Sequence, residues 1–259
     1  MNKKQEYIIK ELREESKRLG HSPARREVPC LAKKCYKYIG SFNKAKEIAG
    51  LNAKNKKITI FPKNALEFDK SLCIIIAYLT ADGHVYKDLK GFYFSSRDKK
   101  FLGYLSDIIY RKFRLKGKYI KGDGYGESYK YLIFNKPITL FLKNSGAPSG
   151  DKMLVPFDVP RWIKKDEKLV KEYLKIIFYC EGSKYRQSKN TESIKINFNK
   201  SENLLDDCIR FMNSLKRMLK IFKIGTTNLW IMNGNIRKKD GEATKIVTFK
   251  IKSSNVNTF

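Results

Sequence analysis

The groups best placed for chemistry are two acid–glycine pairs, Asp82-Gly83 and Glu181-Gly182, 99 residues apart. Each follows a stretch that reads as a buried helix, Leu66 to Ala81 and Leu169 to Cys180, apolar on nearly all sides. A glycine after a helix is ordinarily a C-cap, and the acid before it incidental. Here both acids face the negative end of a helix dipole, where an anion is disfavoured by about 0.3–1 kcal/mol. Breaking the same local rule twice, at equivalent points, is the pattern of a site. If the two helices pack in parallel, their C-terminal ends meet and the carboxylates approach. Two carboxylates that close resist joint ionisation unless a cation lies between them. A hard cation such as Mg²⁺ accepts one or two carboxylates together with water and phosphate oxygens. It can activate a water and stabilise the leaving oxygen of an in-line displacement. The chemistry this points to is phosphodiester hydrolysis.

The bulk charge points the same way. Among 259 residues, 55 are Lys or Arg and 26 Asp or Glu, a formal charge of +29. Such a surface attracts polyanions, nucleic acid first among them. A hydrophobic content of 42% supports a packed core and excludes a disordered basic tail. The longest apolar run, Leu72 to Leu79, falls far short of the ~18–20 residues of a membrane span, and no apolar segment near Met1 reads as a secretory signal. Cys30, Cys35, Cys73, Cys180 and Cys208 form an odd, scattered set without a CxxC pair. Disulfides and structural zinc are not expected, and a reducing compartment is.

Ahead of these helices, residues 1–51 read as three short basic helices, Glu6 to Leu19, Leu31 to Tyr38 and Asn43 to Ala49. Gly20 caps the first, and Ser22-Pro23 is expected to open a new helical segment. Residues 52–65 lose periodicity and are the expected linker. From residue 66 the pattern is helix, acid-Gly, two strands, helix, two strands, and it runs twice, in halves 66–160 and 161–259. The first half ends in a short helix from Pro137 to Leu142. The second ends soon after its last strand, so its closing helix is expected to be missing.

At this level the motif residues carry a family resemblance. Ile75-Ile76-Ala77-Tyr78-Leu79-Thr80-Ala81-Asp82-Gly83 resembles the nine-residue motif of single-chain LAGLIDADG homing endonucleases, and Leu174-Lys175-Ile176-Ile177-Phe178-Tyr179-Cys180-Glu181-Gly182 is a more degenerate second copy. The segment Gly146 to Ile163, with Val155-Pro156 and Val159-Pro160-Arg161-Trp162, resembles the family's inter-repeat connector. The resemblance implies an α+β fold, two pseudo-symmetric αββαββα halves forming a β-sheet saddle over DNA. It implies that Asp82 and Glu181 ligate a catalytic metal, Mg²⁺ with Mn²⁺ as a substitute, joined by the backbone carbonyls of Ala81 and Cys180. It also implies a basic residue after the fourth strand of each half, Lys136 and Lys252.

Gly20, Ser22-Pro23, Arg25-Arg26-Glu27, Ile39-Gly40-Ser41-Phe42-Asn43-Lys44-Ala45 and Ala49-Gly50-Leu51 resemble a homing-endonuclease-associated repeat, a helix-turn-helix-like DNA-binding unit. Arg25, Arg26, Lys33, Lys34 and Lys44 are its candidate phosphate contacts. Strand alternation selects candidate base contacts on the duplicated part, Tyr93, Ser95 and Arg97 in the first half and Lys195, Asn197 and Asn199 in the second. Lys118, Lys130, Asn228, Trp230 and Lys245 are further candidates.

The function expected is site-specific, Mg²⁺-dependent cleavage of double-stranded DNA at a long asymmetric target by a monomer. The compartment expected is a prokaryotic cytoplasm, near the nucleoid, or an organellar matrix, without membrane. The alternatives are an RNA-binding intron-splicing maturase, for which intron RNA is the partner, and a non-catalytic DNA-binding regulator. The chain has no terminal His-Asn pair before a nucleophile, so an intron-encoded or free-standing gene is expected rather than an intein.

Overall fold

The computed structural model describes residues 1–53, 61–122, 127–188 and 191–251. The chain divides into two separately packed units, Met1–Ile60 and Phe61–Phe259. The first unit holds helices α1 (Lys3–Leu19), α2 (Pro29–Ile39) and α3 (Phe42–Ile48) around a small core of Ile8, Leu12, Leu31, Cys35, Phe42 and Ala45. Helix α1 starts three residues earlier than expected because Asn2 and Gln5 form a reciprocal capping box. Ser22 opens no helix. Its hydroxyl donates to the Asn52 carbonyl at 2.7 Å. The next helix begins instead at Pro29, whose ring presets φ for the first helical position.

The second unit is the duplicated part. Its first half runs α4 (Lys70–Thr80), β1 (Gly83–Val85), β2 (Phe92–Ser96), α5 (Lys99–Phe113), β3 (Lys118–Lys121), β4 (Tyr129–Ile133) and α6 (Lys136–Asn144). After a connector containing the single turn α7 (Arg161–Lys164) come α8 (Glu167–Glu181), β5 (Gly182–Ser188), β6 (Thr191–Ser201), α9 (Leu205–Ile221), β7 (Trp230–Asn233) and β8 (Thr244–Ile251). The two antiparallel sheets share one order, β1-β2-β4-β3 and β5-β6-β8-β7. The chain is thus α+β with two pseudo-symmetric halves and a helical N-terminal module, as the sequence predicts. Residues 123–126, part of the expected linker (54–60) and everything after Ile251 lie outside the described residues.

Equivalent caps start the two motif helices. Asp69 accepts from Leu72 N at 2.8 Å, and Asp166 from Lys168 N at 2.8 Å. The Asp69 cap excludes Leu66 and Phe68 from α4, and both are exposed. Every side chain from Leu72 to Leu79 is at most 2% exposed, and each large one contributes roughly 1.5–3 kcal/mol by its burial. Helix α8 departs from the all-round apolar expectation: Lys168, Lys171, Lys175 and Tyr179 are exposed. It buries one side, with Val170, Tyr173 and Ile177, and turns the other to solvent.

Candidate active site

The paired motif helices build the site. Near their N-terminal ends the Cys73 thiol donates to the Leu169 carbonyl at 3.3 Å. At their C-terminal ends the Cys180 side chain lies close to Asp82 and helps hold its carboxylate ionised. The helices therefore run parallel, with Ala77 and Ala81 small enough to let them approach.

The backbone passes from α8 directly into β5 and from α4 into β1 after two residues, and both glycines are dictated by that exit. A Cβ on Gly83 would stand 2.8 Å from Leu79 Cα, and one on Gly182 2.4 Å from the Phe178 carbonyl oxygen. Gly182 ends α8 with φ −77°, so it is no left-handed cap. The acid preceding each glycine is thereby held at the helix end.

Asp82 and Glu181 meet there. Burial and then the Asp82 charge push the Glu181 carboxyl up to about 7, against the opposing pull of Lys152. Asp82 keeps an exposed face but is also raised, by the protein crowding its other side, with Lys152 and the Cys180 thiol holding it down. The pair thus retains a proton near neutral pH, which a cation between them would displace.

An open cleft of about 840 Å³ lies beside the pair, lined on one wall by Ala81 and Glu181 and on the other by Gly150, Asp151 and Lys152 of the connector. Lys87 and Lys239 stand at its margin, and His84 lines it, its imidazole pKa lowered first by burial and then by Lys152. Lys152 faces both acids, and burial lowers its pKa despite them. Sequence reasoning misses it because it sits in a Gly/Pro-rich stretch that reads as plain connector. Lys136, the basic residue selected from strand order, is exposed in the first turn of α6 and does not line this cleft. Its counterpart Lys252 lies outside the described residues. Among the described residues no group of three His, Cys, Asp or Glu side chains converges on a metal position.

Strand parity sorts the remaining candidates. In the first sheet Phe92 and Phe94 are buried, so Tyr93 and Ser95 occupy the open face. Register puts His84 and Leu132 beside Tyr93, Lys130 beside Ser95, and Lys118 beside Leu132. Lys130 Nζ stands 5.1 Å from the Tyr93 ring centroid, and His84 stacks on that ring at 5.2 Å. Arg97 is exposed just past the end of β2.

In the second sheet Ile196 and Phe198 are buried, leaving Lys195, Asn197 and Asn199 on the open face opposite Lys250, Thr248 and Ile246. Thr248 Oγ1 donates to Asn197 Oδ1 at 2.8 Å. Trp230 pairs with Thr248 and joins this face, and Asn228 is exposed two residues before β7. Lys245 does not join them. It pairs with Lys200, on the face of Phe198 and Val247, and its ammonium is engaged by Glu202 at 2.9 Å and Asn233 Oδ1 at 2.8 Å. Alternation along β8 puts position 245 in line with the buried Val247 and Phe249, which turns it away from the open face.

In the N-terminal unit Arg25 and Arg26 are exposed between α1 and α2, Lys33 and Lys34 on α2, and Lys44 on α3. Lys34 is paired with Glu11 at 3.1 Å, and Arg25 lies over the Tyr36 ring at 5.1 Å.

No protein-family model matches the chain. It is 28% identical over 165 residues to the replication factor C small subunit of Methanocaldococcus jannaschii, covering 58% of this chain and 9% of that protein. It is 27% identical over 172 residues to the tRNA-splicing ligase RtcB of Methanopyrus kandleri, covering 61% of this chain and 17% of that one. It is 33% identical over 140 residues to the RNA polymerase subunit Rpo1N of M. jannaschii, covering 52% and 10%. The chain thus spans between 9% and 17% of the length of these curated relatives. Among solved structures it is similar to the homing endonuclease I-DmoI in complex with DNA and Mn, with TM-score 0.44 and 12% identity over 76% of this chain and 95% of that one. It is also similar to full-length DUF199/WhiA from Thermatoga maritima, with TM-score 0.42 and 14% identity over 73% and 55%. The chain's own twice-repeated order of elements, with parallel motif helices that each end in an acid and a glycine, gives it the LAGLIDADG fold.

Proposed function

We propose that the chain is a site-specific endonuclease of double-stranded DNA that works with a divalent cation, Mg²⁺ or in its place Mn²⁺. The observation that carries this reading is the meeting of Asp82 and Glu181, two carboxylates that resist joint ionisation at the edge of a basic cleft. That donor set suits a hard cation: Asp82 and Glu181 would hold it with the carbonyls of Ala81 and Cys180, and water and phosphate oxygens would complete its shell. When bound, such a cation supplies Lewis acidity, activating water and stabilising the leaving oxygen. The residues do the rest. Tyr93, Ser95, Lys118 and Lys130 on one open sheet face, and Lys195, Asn197, Asn199 and Trp230 on the other, present donors and rings to a duplex. Arg25, Arg26, Lys33, Lys34 and Lys44 of the N-terminal unit add phosphate contacts. The curated relatives support a separable unit. Three proteins with unrelated names share only a segment with this chain, so none of their named activities accounts for it.

A binding-only reading draws on the absence, among the described residues, of a third acidic, His or Cys ligand. Selection from a random duplex library in Mg²⁺, sequencing bound and cut molecules separately, decides between them. The endonuclease reading expects one long asymmetric sequence in the cut pool. A library that is enriched by binding but never cut supports the regulator.

A further inference from the structure

The open face of the first sheet carries a run of aromatic rings that the fold does not demand. His84 and Tyr93 stand opposite each other on β1 and β2, their rings stacked with centroids 5.2 Å apart. Tyr86 follows on the same side, its ring 5.5 Å from the imidazole and 5.9 Å from the Tyr93 ring. Phe134, the residue after β4, lies parallel to Tyr86 within 6°, at 6.0 Å. Between those two the row passes over Gly91, where a Cβ would come within 2.9 Å of the Phe134 ring. The missing side chain is what lets Phe134 lie across the strand. Phe134 is 66% exposed and stands outside the core. Burial, then Lys152, lowers the His84 pKa, so at neutral pH the imidazole is a ring rather than a cation. The registers Gly83–Phe94 and Gly182–Ile196 match the two halves residue for residue. At the matching points the second half has Ser183 facing Lys195 in place of His84 facing Tyr93. The same sheet is thus built without the stacked pair.

We propose that this face holds unpaired bases of DNA, with Phe134, Tyr86 and the His84–Tyr93 pair as the stacking platform. Within a duplex each base is covered above and below by its neighbours and offers only an edge to a groove. Rings on a sheet can use the flat face of a base only where pairing and stacking have been given up. Cations for the intervening backbone stand beside the rings. Lys130 Nζ is 5.1 Å from the Tyr93 ring centroid, and the exposed Lys87 follows Tyr86. His84, Tyr86 and Lys87 also line the cleft that Glu181 borders, so the unpaired stretch runs up to the acid pair. The substrate class this gives is a duplex interrupted by unpaired bases on the side of the first half. That substrate assignment rests on the endonuclease reading, whereas the stacking does not.

The test therefore has two arms. Without divalent cation, the full chain is titrated with a paired DNA duplex, with the same duplex carrying a short central run of mismatches, and with an RNA strand of the mismatched sequence. The mismatched DNA carries 2-aminopurine in the run, a base whose fluorescence falls when it stacks on a ring. The mismatched duplex is expected to bind more than about tenfold tighter than the paired one, with quenching. Phe134→Ala and Tyr86→Ala are each expected to lower that preference about tenfold and to relieve the quenching, the loss of one base deprived of its ring, whereas Phe134→Trp keeps both. Phe134 is exposed enough for alanine to leave the fold intact. Equal affinity for the two duplexes overturns the platform, as does a preference untouched by both alanine variants. Tighter binding of the RNA strand than of the mismatched DNA overturns the assignment to DNA. With Mg²⁺ and substrate below saturation, the mismatched duplex is expected to be cut about tenfold faster than the paired one. Faster cutting of the paired duplex overturns the substrate assignment. A chain that cuts neither, yet keeps a ring-dependent preference, contradicts the endonuclease reading and leaves the stacking standing.

Discussion

Glu181→Gln tests the acid pair without any nucleic acid. In the folded chain the Glu181 carboxyl keeps its proton up to about pH 7, against an ordinary value of 4.5. Between those two values the folded state binds more protons than the unfolded one, so stability falls as pH rises. Below the lower value this penalty is absent, and above the upper it is complete. One pKa unit corresponds to about 1.4 kcal/mol. The shift therefore sets a ceiling of roughly 3 kcal/mol, and solvent screening of a partly buried group brings the expectation to about 1–2 kcal/mol. Glutamine cannot ionise and escapes the penalty. Relative to the wild type, the variant should gain that amount between pH 4 and pH 8, a rise of about 3–6 °C in Tm for a unit of this size. Paired thermal melts at the two pH values, without divalent metal, read the difference directly. Mn²⁺ at pH 8 should then raise the wild-type Tm and leave the variant unchanged, because the cation stabilises the ionised pair that the variant lacks. A Tm difference that does not change with pH refutes the claim that the two carboxylates are crowded together.

Other parts of the structure are as exposed to test. Gly182→Ala puts a methyl 2.4 Å from the Phe178 carbonyl and should cost more than about 2 kcal/mol by urea unfolding. Gly241→Ala, at φ +71° in open space, should cost only about 1 kcal/mol. Strand parity makes a sharper claim about binding. Lys195→Ala should weaken duplex binding and flatten its salt slope by about 0.9, while Lys245→Ala, already tied to Glu202 and Asn233, should leave both unchanged.

The duplication is legible in the sequence because helix and strand periods alternate in one order twice, and because the acid–glycine pairs punctuate it at the same point. The glycines are legible as marks but not as causes. Read singly each suggests a left-handed cap, and only the packed exit shows that a Cβ would strike Leu79 or Phe178. Burial parity separates Tyr93 and Ser95 from Phe92 and Phe94, and Lys195 and Asn197 from Ile196 and Phe198. The same parity along β8 sets Lys245 in line with the buried Val247 and Phe249 and so takes it off the open face. Lys152, by contrast, is hidden. Its place is set by tertiary contacts to an irregular segment, and irregular segments carry no period to read. A trace does exist in Lys200, a lysine at a core position of β6, where the cost of burial calls for specific partners. Those partners are the backbone carbonyls of Lys152 and Val155, which lead to the connector and so to Lys152.

The proposal that Asp82 and Glu181 together perform phosphodiester cleavage meets its sharpest test in three proteins, wild type, Asp82→Asn and Glu181→Gln. Each is assayed on the duplex recovered from library selection, measuring Mg²⁺-dependent double-strand cutting alongside binding of the same duplex. Cutting lost in both variants, with binding kept within a few-fold, is the expected outcome. Cutting at the wild-type rate in either variant would remove that carboxylate from the chemistry and the proposal with it.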